Sequence, residues 1–238
     1  MRNVWVLSVR EFASNFSSPV AYVAISVFLA VVGIKFFLVD AFFEVGEANL
    51  RSFFELLPMF FVFFIPAIAM RLVSEEKRQG TYELLSTLPV SDFEVILGKF
   101  LGAFGFLALA LVATLVYPIF VSALGNPDFG AIWGGYIGLL FIGAAFLAVG
   151  LMTSTWTQSQ LTAYILGAVV SGLFFYVDAM LGSLSQGLKK VGEYVSFNAH
   201  FQNFAKGVVD TRDVVFFLSV TALALLVASF TLSRRRWN

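Results

Sequence analysis

The sequence has no cysteine and a single histidine, His200, among its 238 residues. Without cysteine there is no disulfide, no thiolate nucleophile and no thiolate metal ligand. The sequence also lacks a His-Glu-x-x-His zinc motif, a Gly-x-Ser-x-Gly elbow and a Gly-x-x-x-x-Gly-Lys-[Ser/Thr] phosphate loop. We therefore expect no catalytic residue, no metal or cofactor bound by the chain itself, and no ATP binding of the P-loop kind.

Charged residues are also scarce. Only 13% of the residues are charged, and the 15 Lys and Arg balance the 15 Asp and Glu, so no net charge favours nucleic acid as a partner. Hydrophobic residues make up 59% and the mean hydropathy is +0.88, whereas an average soluble domain is roughly 45–50% apolar. This composition predicts a protein whose solvent is the lipid bilayer.

Six apolar segments are each near the length of about 20 residues that a helix needs to cross a bilayer. Their apolar runs are continuous and lack the two-residue period of barrel strands. No internal repeat, low-complexity tract or linker divides the chain. The sequence predicts an all-α, polytopic membrane protein in which residues 1–238 form one domain, with spans at about 20–39, 55–72, 95–122, 131–153, 160–181 and 213–233.

The distribution of Lys and Arg predicts the orientation of these spans. Six spans place both termini on one side, and basic residues favour the cytoplasm. The side of the termini holds nine: Arg2, Arg10, Arg71, Lys77, Arg78, Lys99, Arg234, Arg235 and Arg236. The other side holds five: Arg51, Lys189, Lys190, Lys206 and Arg212. We therefore expect cytoplasmic termini in a bacterial inner membrane, with Arg234, Arg235 and Arg236 anchoring the last span.

Residues 1–18 predict a surface helix rather than a cleavable signal, because polar residues are spread through them and no cleavage site follows. Trp5, Val9, Phe12 and Phe16 recur at helical spacing. This stripe suits the membrane interface or packing on the protein's own spans, and both alternatives bury the same residues. Pro19 is expected to end the helix.

Two segments outside the spans also carry helix signals. Between spans two and three, Gly80 permits a break, Thr81 can cap a short helix, Pro89 stops it, and Ser91 with Glu94 predicts a capping box. On the outer side, residues 182–212 predict two short amphipathic helices lying on or dipping into the outer leaflet. Their apolar positions are Leu184, Leu188, Val191 and Val195, then Phe197, Phe201, Phe204 and Val208. Gly192 and Gly207 are expected to allow bends, and Asp210 or Thr211 to cap the last span.

Charges inside a membrane usually indicate function, and Lys35 and Asp178 are the candidates. Both lie near the predicted outer ends of their spans, where we expect contact with water. The central thirds of the spans are almost free of charge, which argues against an ion-coupled carrier. We expect His200 to form a hydrogen bond near the outer interface rather than to titrate. Pro58, Pro66 and Pro118 are expected to kink or end helices.

The run that begins at residue 65, Ile-Pro-Ala-Ile-Ala-Met-Arg-Leu-Val-Ser-Glu-Glu-Lys-Arg-Gln-Gly-Thr-Tyr-Glu-Leu-Leu-Ser-Thr-Leu-Pro-Val-Ser, closely resembles the ABC-2 type permease family. Members carry Met-Arg, Glu-Glu, Gly-Thr-x-Glu-x-Leu and Pro-Val in this order between spans two and three. Residues 196–214 resemble the outer segment of the gliding-motility-type branch of the family. The resemblance covers essentially the whole chain.

The resemblance implies that residues 75–89 form a coupling helix that rests in a groove on a separate P-loop ATPase, which binds ATP and Mg. We expect Glu75, Glu76, Lys77 and Arg78 to be exposed for that partner, and Tyr82, Leu84 and Leu85 to supply apolar anchors. The implied coupling residues are Arg71, Glu75, Glu76, Lys77, Arg78, Gly80, Thr81, Tyr82, Glu83, Leu84, Leu85 and Pro89.

The sequence therefore predicts a non-enzymatic permease subunit of an ATP-driven exporter with an unidentified substrate. The resemblance implies two permease subunits on two ATPase subunits, and the gliding-type branch favours a heterodimer, with a homodimer open. Two alternatives remain: a secondary carrier or channel that works without an ATPase, and a membrane scaffold that assembles an envelope or motility complex without transport.

Overall fold

The computed structural model describes residues 2–17, 19–39, 49–81, 90–183 and 186–235. Every regular element within these ranges is a helix, which confirms the predicted fold class. In chain order the helices are α1 (Arg2–Phe16), α2 (Pro19–Ile34, continued by a π-helical turn Lys35–Val39), α3 (Arg51–Ala69), α4 (Arg71–Arg78), α5 (Asp92–Ala113), α6 (Val116–Leu124), α7 (Phe129–Trp156), α8 (Gln160–Gly182), α9 (Gln186–Val195), α10 (Phe197–Ala205) and α11 (Thr211–Arg235).

Six stretches of the described chain are long and apolar enough to cross a membrane, as the sequence predicts. They are Ala21–Val39, Arg51–Arg78, Asp92–Leu124, Phe129–Trp156, Gln160–Gly182 and Thr211–Ser233. The protein is therefore a multi-pass membrane protein. The second and third stretches are each interrupted, at Met70 and at Thr114 to Leu115.

The prolines relate to these interruptions in different ways. Pro58 and Pro66 lie inside α3 without ending it, although Pro66 removes a backbone donor one turn before the break at Met70. Pro118 lies in the first turn of α6, where a missing N–H costs little. Pro19 is the first residue of α2, so α1 ends at Phe16 and Pro19 starts the next helix.

Helix α7 is the centre of the bundle and packs on α3, α8, α10 and α11. Its glycines create the space for this packing. A Cβ on Gly135 would lie 2.4 Å from the ring of Phe54, and one on Gly138 would lie 2.5 Å from Cβ of Phe204. Small residues let helices approach closely where lipid offers little driving force for association. The glycine-rich sequence of α7 therefore determines which helices surround it.

Helices α9 and α10 form a hairpin that turns back into the bundle. Along α9, Lys189 faces Gly182 and Gly192 faces Asp178. Directly after α9, Ser196 Oγ donates to the carbonyl of Phe175. The hairpin therefore descends beside α8 for seven residues, roughly 10 Å at helical rise. Helix α10 then returns along α7, where the rings of Phe197 and Phe146 lie 5.2 Å apart.

The two short helices are confirmed, but their positions differ from the prediction. Phe197, Phe201 and Phe204 are fully buried, so α10 belongs to the core rather than to the membrane surface. Gly207 does make a bend, at φ +80°, whereas Gly192 lies inside α9, where it permits close packing on α8. Asp210 caps α11 by accepting a hydrogen bond from the Arg212 amide. Leu184 lies outside the described residues.

Gly134 is expected to be intolerant of even one methyl group. A Cβ there would lie 2.7 Å from both Gly207 Cα and the Phe204 carbonyl oxygen, and backbone atoms cannot swing aside. We expect Gly134→Ala to lower the free energy of unfolding by about 2 kcal/mol, measured as thermal unfolding in detergent. Gly187→Ala is the control, because nothing lies within 4 Å of its new Cβ. Equal midpoints for both variants would contradict the packing described.

Helix α1 packs on the start of α5 through a face that the sequence did not predict. A Cβ on Gly98 would meet Leu7, and one on Gly102 would lie 2.6 Å from Glu11 Cβ. Gly98 and Gly102 thus open a groove that admits the side chains of Leu7 and Glu11 of α1. Trp5 remains 70% exposed and Val9 is also exposed. The stripe is therefore divided: Phe12 and Phe16 pack on the bundle, which fits the second predicted location for them, whereas Trp5 and Val9 face away from the protein. The membrane interface stays a prediction for Trp5 and Val9.

Candidate coupling region at the terminal end of the bundle

The terminal end of the bundle is the end at which α1, α4, the first two turns of α5 and the last turn of α7 meet. Here α4 continues the second span beyond the break at Met70 and ends at Arg78. Gly80 has φ +70°, a conformation that glycine adopts without strain, which confirms the predicted break. The capping box of Ser91 with Glu94 at the start of α5 is also confirmed.

A buried lysine joins three helices at this end. Lys99 of α5 is only 7% exposed, and its Nζ lies 2.7 Å from Glu76 Oε1 of α4 and 3.4 Å from Glu11 Oε2 of α1. One cation between two carboxylates leaves a net negative charge, and Glu76 Oε2 is buried without a hydrogen-bond partner among the described residues. The three helices therefore share one ion cluster, in which each charge depends on the others.

The exposure predicted for Glu76 and Lys77 is wrong. Glu76 points inward to Lys99 and its side chain is 17% exposed. Lys77 Nζ donates to the backbone carbonyl of Thr155 at the end of α7. In an eight-residue helix docked on the bundle, one side must face the protein, and four consecutive charged residues, 75–78, do not show which of them lie on that side. Charge reversal at Glu76 would therefore disrupt the fold of this end before it tested contact with a partner.

Further polar contacts fix α4 to its neighbours. Arg71 Nη2 donates to Asn15 Oδ1 of α1 at 2.8 Å. Ser154 Oγ of α7 accepts hydrogen bonds from the amides of Val73 and Ser74 at 3.2 and 3.0 Å. Helix α4 is thus held by α1, α5 and α7 together. Sequence reasoning missed Lys99, Glu11, Asn15 and Ser154, because their spacing along the chain carries no signal of this contact.

The outward side of α4 carries the groups that remain accessible. Arg78 Nη2 bonds both carboxylate oxygens of Glu75, at 2.7 and 2.9 Å, one turn apart on the helix. Arg78 also lines an open cavity of about 730 Å³ whose other walls include Met70, Leu161 and Tyr164. Thr81 is exposed as well. Of the implied coupling residues, Tyr82, Glu83, Leu84, Leu85 and Pro89 lie outside the described residues.

The last span supplies the remaining predicted anchors at this end. Helix α11 reaches Arg235, so Arg234 and Arg235 belong to its last turn, while Arg236 lies outside the described residues. Trp156 ends α7 and is exposed, like Trp5 of α1. Exposed tryptophans at one level of a bundle are typical of a membrane interface.

At the opposite end, His200 has a partner that the sequence did not reveal. Its Nδ1 lies 2.6 Å from Asp213 Oδ1, its Nε2 lies 3.2 Å from the carbonyl of Tyr194, and its ring stacks on Phe216. Asn203 Nδ2 donates to the second oxygen of Asp213 at 2.8 Å. The predicted hydrogen-bonding role of His200 is confirmed, and the network ties the hairpin of α9 and α10 to the start of α11.

Lys35 and Asp178 also lie near the opposite end, as predicted. Lys35 is half-buried in the π-helical turn that continues α2. Asp178 lies beside Gly192 of α9, and its Oδ1 is buried without a hydrogen-bond partner among the described residues. Helix α9 therefore covers one carboxylate oxygen of Asp178, while the residue as a whole is half-buried. The predicted contact with water stays a prediction for its other oxygen.

The comparisons with known proteins agree with this architecture. The profile of the ABC-2 family transporter proteins matches residues 34–236. A relative described as a probable ABC transporter permease protein NosY, from Pseudomonas aeruginosa, is 29% identical over 191 residues. That alignment covers 73% of this chain and 66% of the relative, so the chain spans just under two thirds of the relative's length. The chain belongs to the ABC-2 family of transporter proteins.

Proposed function

We propose that this protein is the permease, the membrane subunit, of an ATP-driven exporter and that residues 75–89 receive movement from a separate P-loop ATPase. The observation that carries the proposal is the joining of α1, α4 and α5 by Lys99, Glu76 and Glu11. A segment that only connected two spans would need no such ion cluster. Because the cluster ties α4 directly to α1 and α5, a displacement of α4 moves both helices and is not absorbed by a flexible loop.

The exposed side of α4 suits a partner protein. Arg78 pairs with Glu75 through one nitrogen and presents its charge at the surface, close to Gly80 and Thr81. Charged groups at the rim of an interface steer association and select the partner. The inward side, with Glu76 and Lys77, does not contact the partner; it transmits the movement of α4 to α5 and α7. The same helix thus divides its charges between recognition and transmission.

In this proposal the ATPase binds ATP and Mg, and closure of an ATPase dimer pushes on residues 75–89 to repack the spans, giving alternating access. The chain itself is not an enzyme. A second permease subunit completes the path, and the gliding-type resemblance of residues 196–214 favours a different chain over a second copy. The terminal end faces the cytoplasm of a bacterial inner membrane, in line with the excess of Lys and Arg there.

The proposal predicts that Arg78→Glu weakens binding of the ATPase about tenfold while the permease stays folded. The reversal removes one intrahelical ion pair at the surface. It also places a negative charge opposite a partner surface that complements the positive charge of Arg78, and the two repel. Arg51→Glu is the matched control, because Arg51 pairs with Glu55 in the same intrahelical manner at the opposite end. Tagged variants would be purified in mild detergent, and the ATPase recovered with each would be quantified by mass spectrometry and by ATP hydrolysis.

Equal recovery of the ATPase with Arg78→Glu and Arg51→Glu would contradict contact through α4. If wild-type protein recovers no ATPase in any detergent, the scaffold alternative replaces the transporter. Thermal unfolding serves as the check on folding, since loss of an exposed pair changes stability by about 0.5 kcal/mol or less. The design avoids Glu76, whose replacement would disturb the buried cluster and leave the cause of any lost binding ambiguous.

A further inference from the structure

The break between α3 and α4 is stabilised by a hydroxyl group from another span. In an uninterrupted helix the Ser74 amide would donate to the carbonyl of Met70, four residues earlier. Here Ser154 Oγ of α7 lies between them: it accepts from the Ser74 amide at 3.0 Å and donates to the Met70 carbonyl at 2.8 Å. A side chain inserted into the hydrogen-bond ladder is a known cause of a helix kink.

Ser154 also accepts from the Val73 amide, so one side chain satisfies two of the backbone donors that a helix start leaves open. It is fully buried, and Ser74 Oγ donates to the same Met70 carbonyl. Side chains that cap a helix start normally come from the residue just before it. In this protein the hydroxyl comes from a residue 80 positions away along the chain from Ser74.

The surroundings connect this hydroxyl to a third span. The carbonyl of the next residue, Thr155, accepts a hydrogen bond from Lys77 Nζ of α4. The hydroxyl of the preceding residue, Thr153, donates to the carbonyl of Ala163 in α8 at 3.3 Å. Met70 also lines the open cavity of about 730 Å³ between α4 and the start of α8. Helix α4 therefore has a fixed hydrogen-bonded pivot on one side and room to move on another.

We propose that Ser154 is a positioning residue that serves as the pivot of the coupling region. Movement of α4 about Met70 reaches α7 through the Ser154 hydroxyl and then α8 through Thr153. This inference rests on the proposed function, since it needs an ATPase that moves α4. It adds Ser154, which lies outside residues 75–89, and assigns the connection from the coupling segment to span four to its hydroxyl group. Thr153 extends that connection to span five.

The test uses the permease with its co-purified ATPase and follows amide hydrogen exchange with and without trapping by ADP and orthovanadate. In the wild type, trapping is expected to change exchange in residues 71–81 and in residues 157–164 at the start of α8. In Ser154→Ala we expect the first change to persist and the second to fall at least about threefold. The Val73 and Ser74 amides should also exchange about tenfold faster without trapping, since a lost hydrogen bond is worth about that factor.

Ser154→Cys keeps nearly the same volume with a weak hydrogen-bonding group and is expected to behave like Ser154→Ala, should that variant not fold. Ser171→Ala is the matched control, because Ser171 is a fully buried serine whose Oγ has no hydrogen-bond partner among the described residues. Wild-type transmission to residues 157–164 in the Ser154 variants, or an equal loss in Ser171→Ala, would overturn the inference. If trapping leaves residues 71–81 unchanged in the wild type, the proposed function itself fails.

Discussion

Replacing Lys99 by methionine is expected to lower the free energy of unfolding by about 3 kcal/mol, because it leaves the carboxylates of Glu11 and Glu76 without their cation. The lysine is 7% exposed, so water cannot replace it. The measurement is thermal unfolding of the purified protein in detergent. The terminal end should fail first, seen as faster amide exchange in α1 and α4.

A rescue experiment separates loss of charge from loss of packing. Glu11→Gln and Glu76→Gln together remove the two negative charges, so adding them to Lys99→Met should restore most of the lost stability. Lys189→Met is the control, because Lys189 is exposed and lies 3.9 Å from Glu193. If the triple variant is no more stable than Lys99→Met, the cluster is not held by charge. The pair contacts would then be incidental to packing.

Replacing Asp213 by alanine is expected to be as severe, at about 3 kcal/mol, because two hydrogen bonds lose their acceptor. Both of its oxygens are occupied, by His200 Nδ1 at 2.6 Å and by Asn203 Nδ2 at 2.8 Å, and the side chain is 3% exposed. Its loss leaves the buried His200 and the half-buried Asn203 without their acceptor at the base of the hairpin. Thermal unfolding and amide exchange across residues 186–205 would report the loss, which should be local to α9 and α10.

Two further variants make this prediction specific. Asp210→Ala removes a helix cap three residues earlier and should cost about 1 kcal/mol, which is typical for a lost cap. Combining Asp213→Ala with His200→Phe should cost less than the sum of the two single changes, because His200 then has no lost partner. Additive effects in the double variant would show that the His200 to Asp213 contact contributes nothing of its own.

The N-terminal helix shows where a sequence pattern stops being informative. Its apolar stripe identified a helix and its length correctly, but not the surface that packs. Gly98 and Gly102 on α5 form the groove that receives α1, and they lie more than 80 residues away in the sequence. A groove exists only when two helices are already side by side. The choice between the membrane interface and the bundle is therefore open from α1 alone, and the structure decides it for Phe12 and Phe16, which pack on the bundle.

Helix α4 shows the same limit for charges. Glu75, Glu76, Lys77 and Arg78 follow one another, and nothing in their order distinguishes exposed from buried members. In the structure, the inward pair contacts Lys99 and Thr155, and the outward pair contacts itself. His200 likewise lacked a visible partner, because Asp213 becomes its neighbour only through the turn between α10 and α11.

The sequence by itself determined the six spans, the helical class, the break at Gly80, the capping box at Ser91 and the family. Each depends on composition or on contacts within a few residues, which the bilayer and backbone geometry impose locally. Only the tertiary structure decided which faces meet: the groove for α1, the Lys99 cluster, the Ser154 hydroxyl inside the α4 ladder and the depth of the hairpin. These depend on contacts between distant residues, and such contacts arise from packing between helices rather than from local preference.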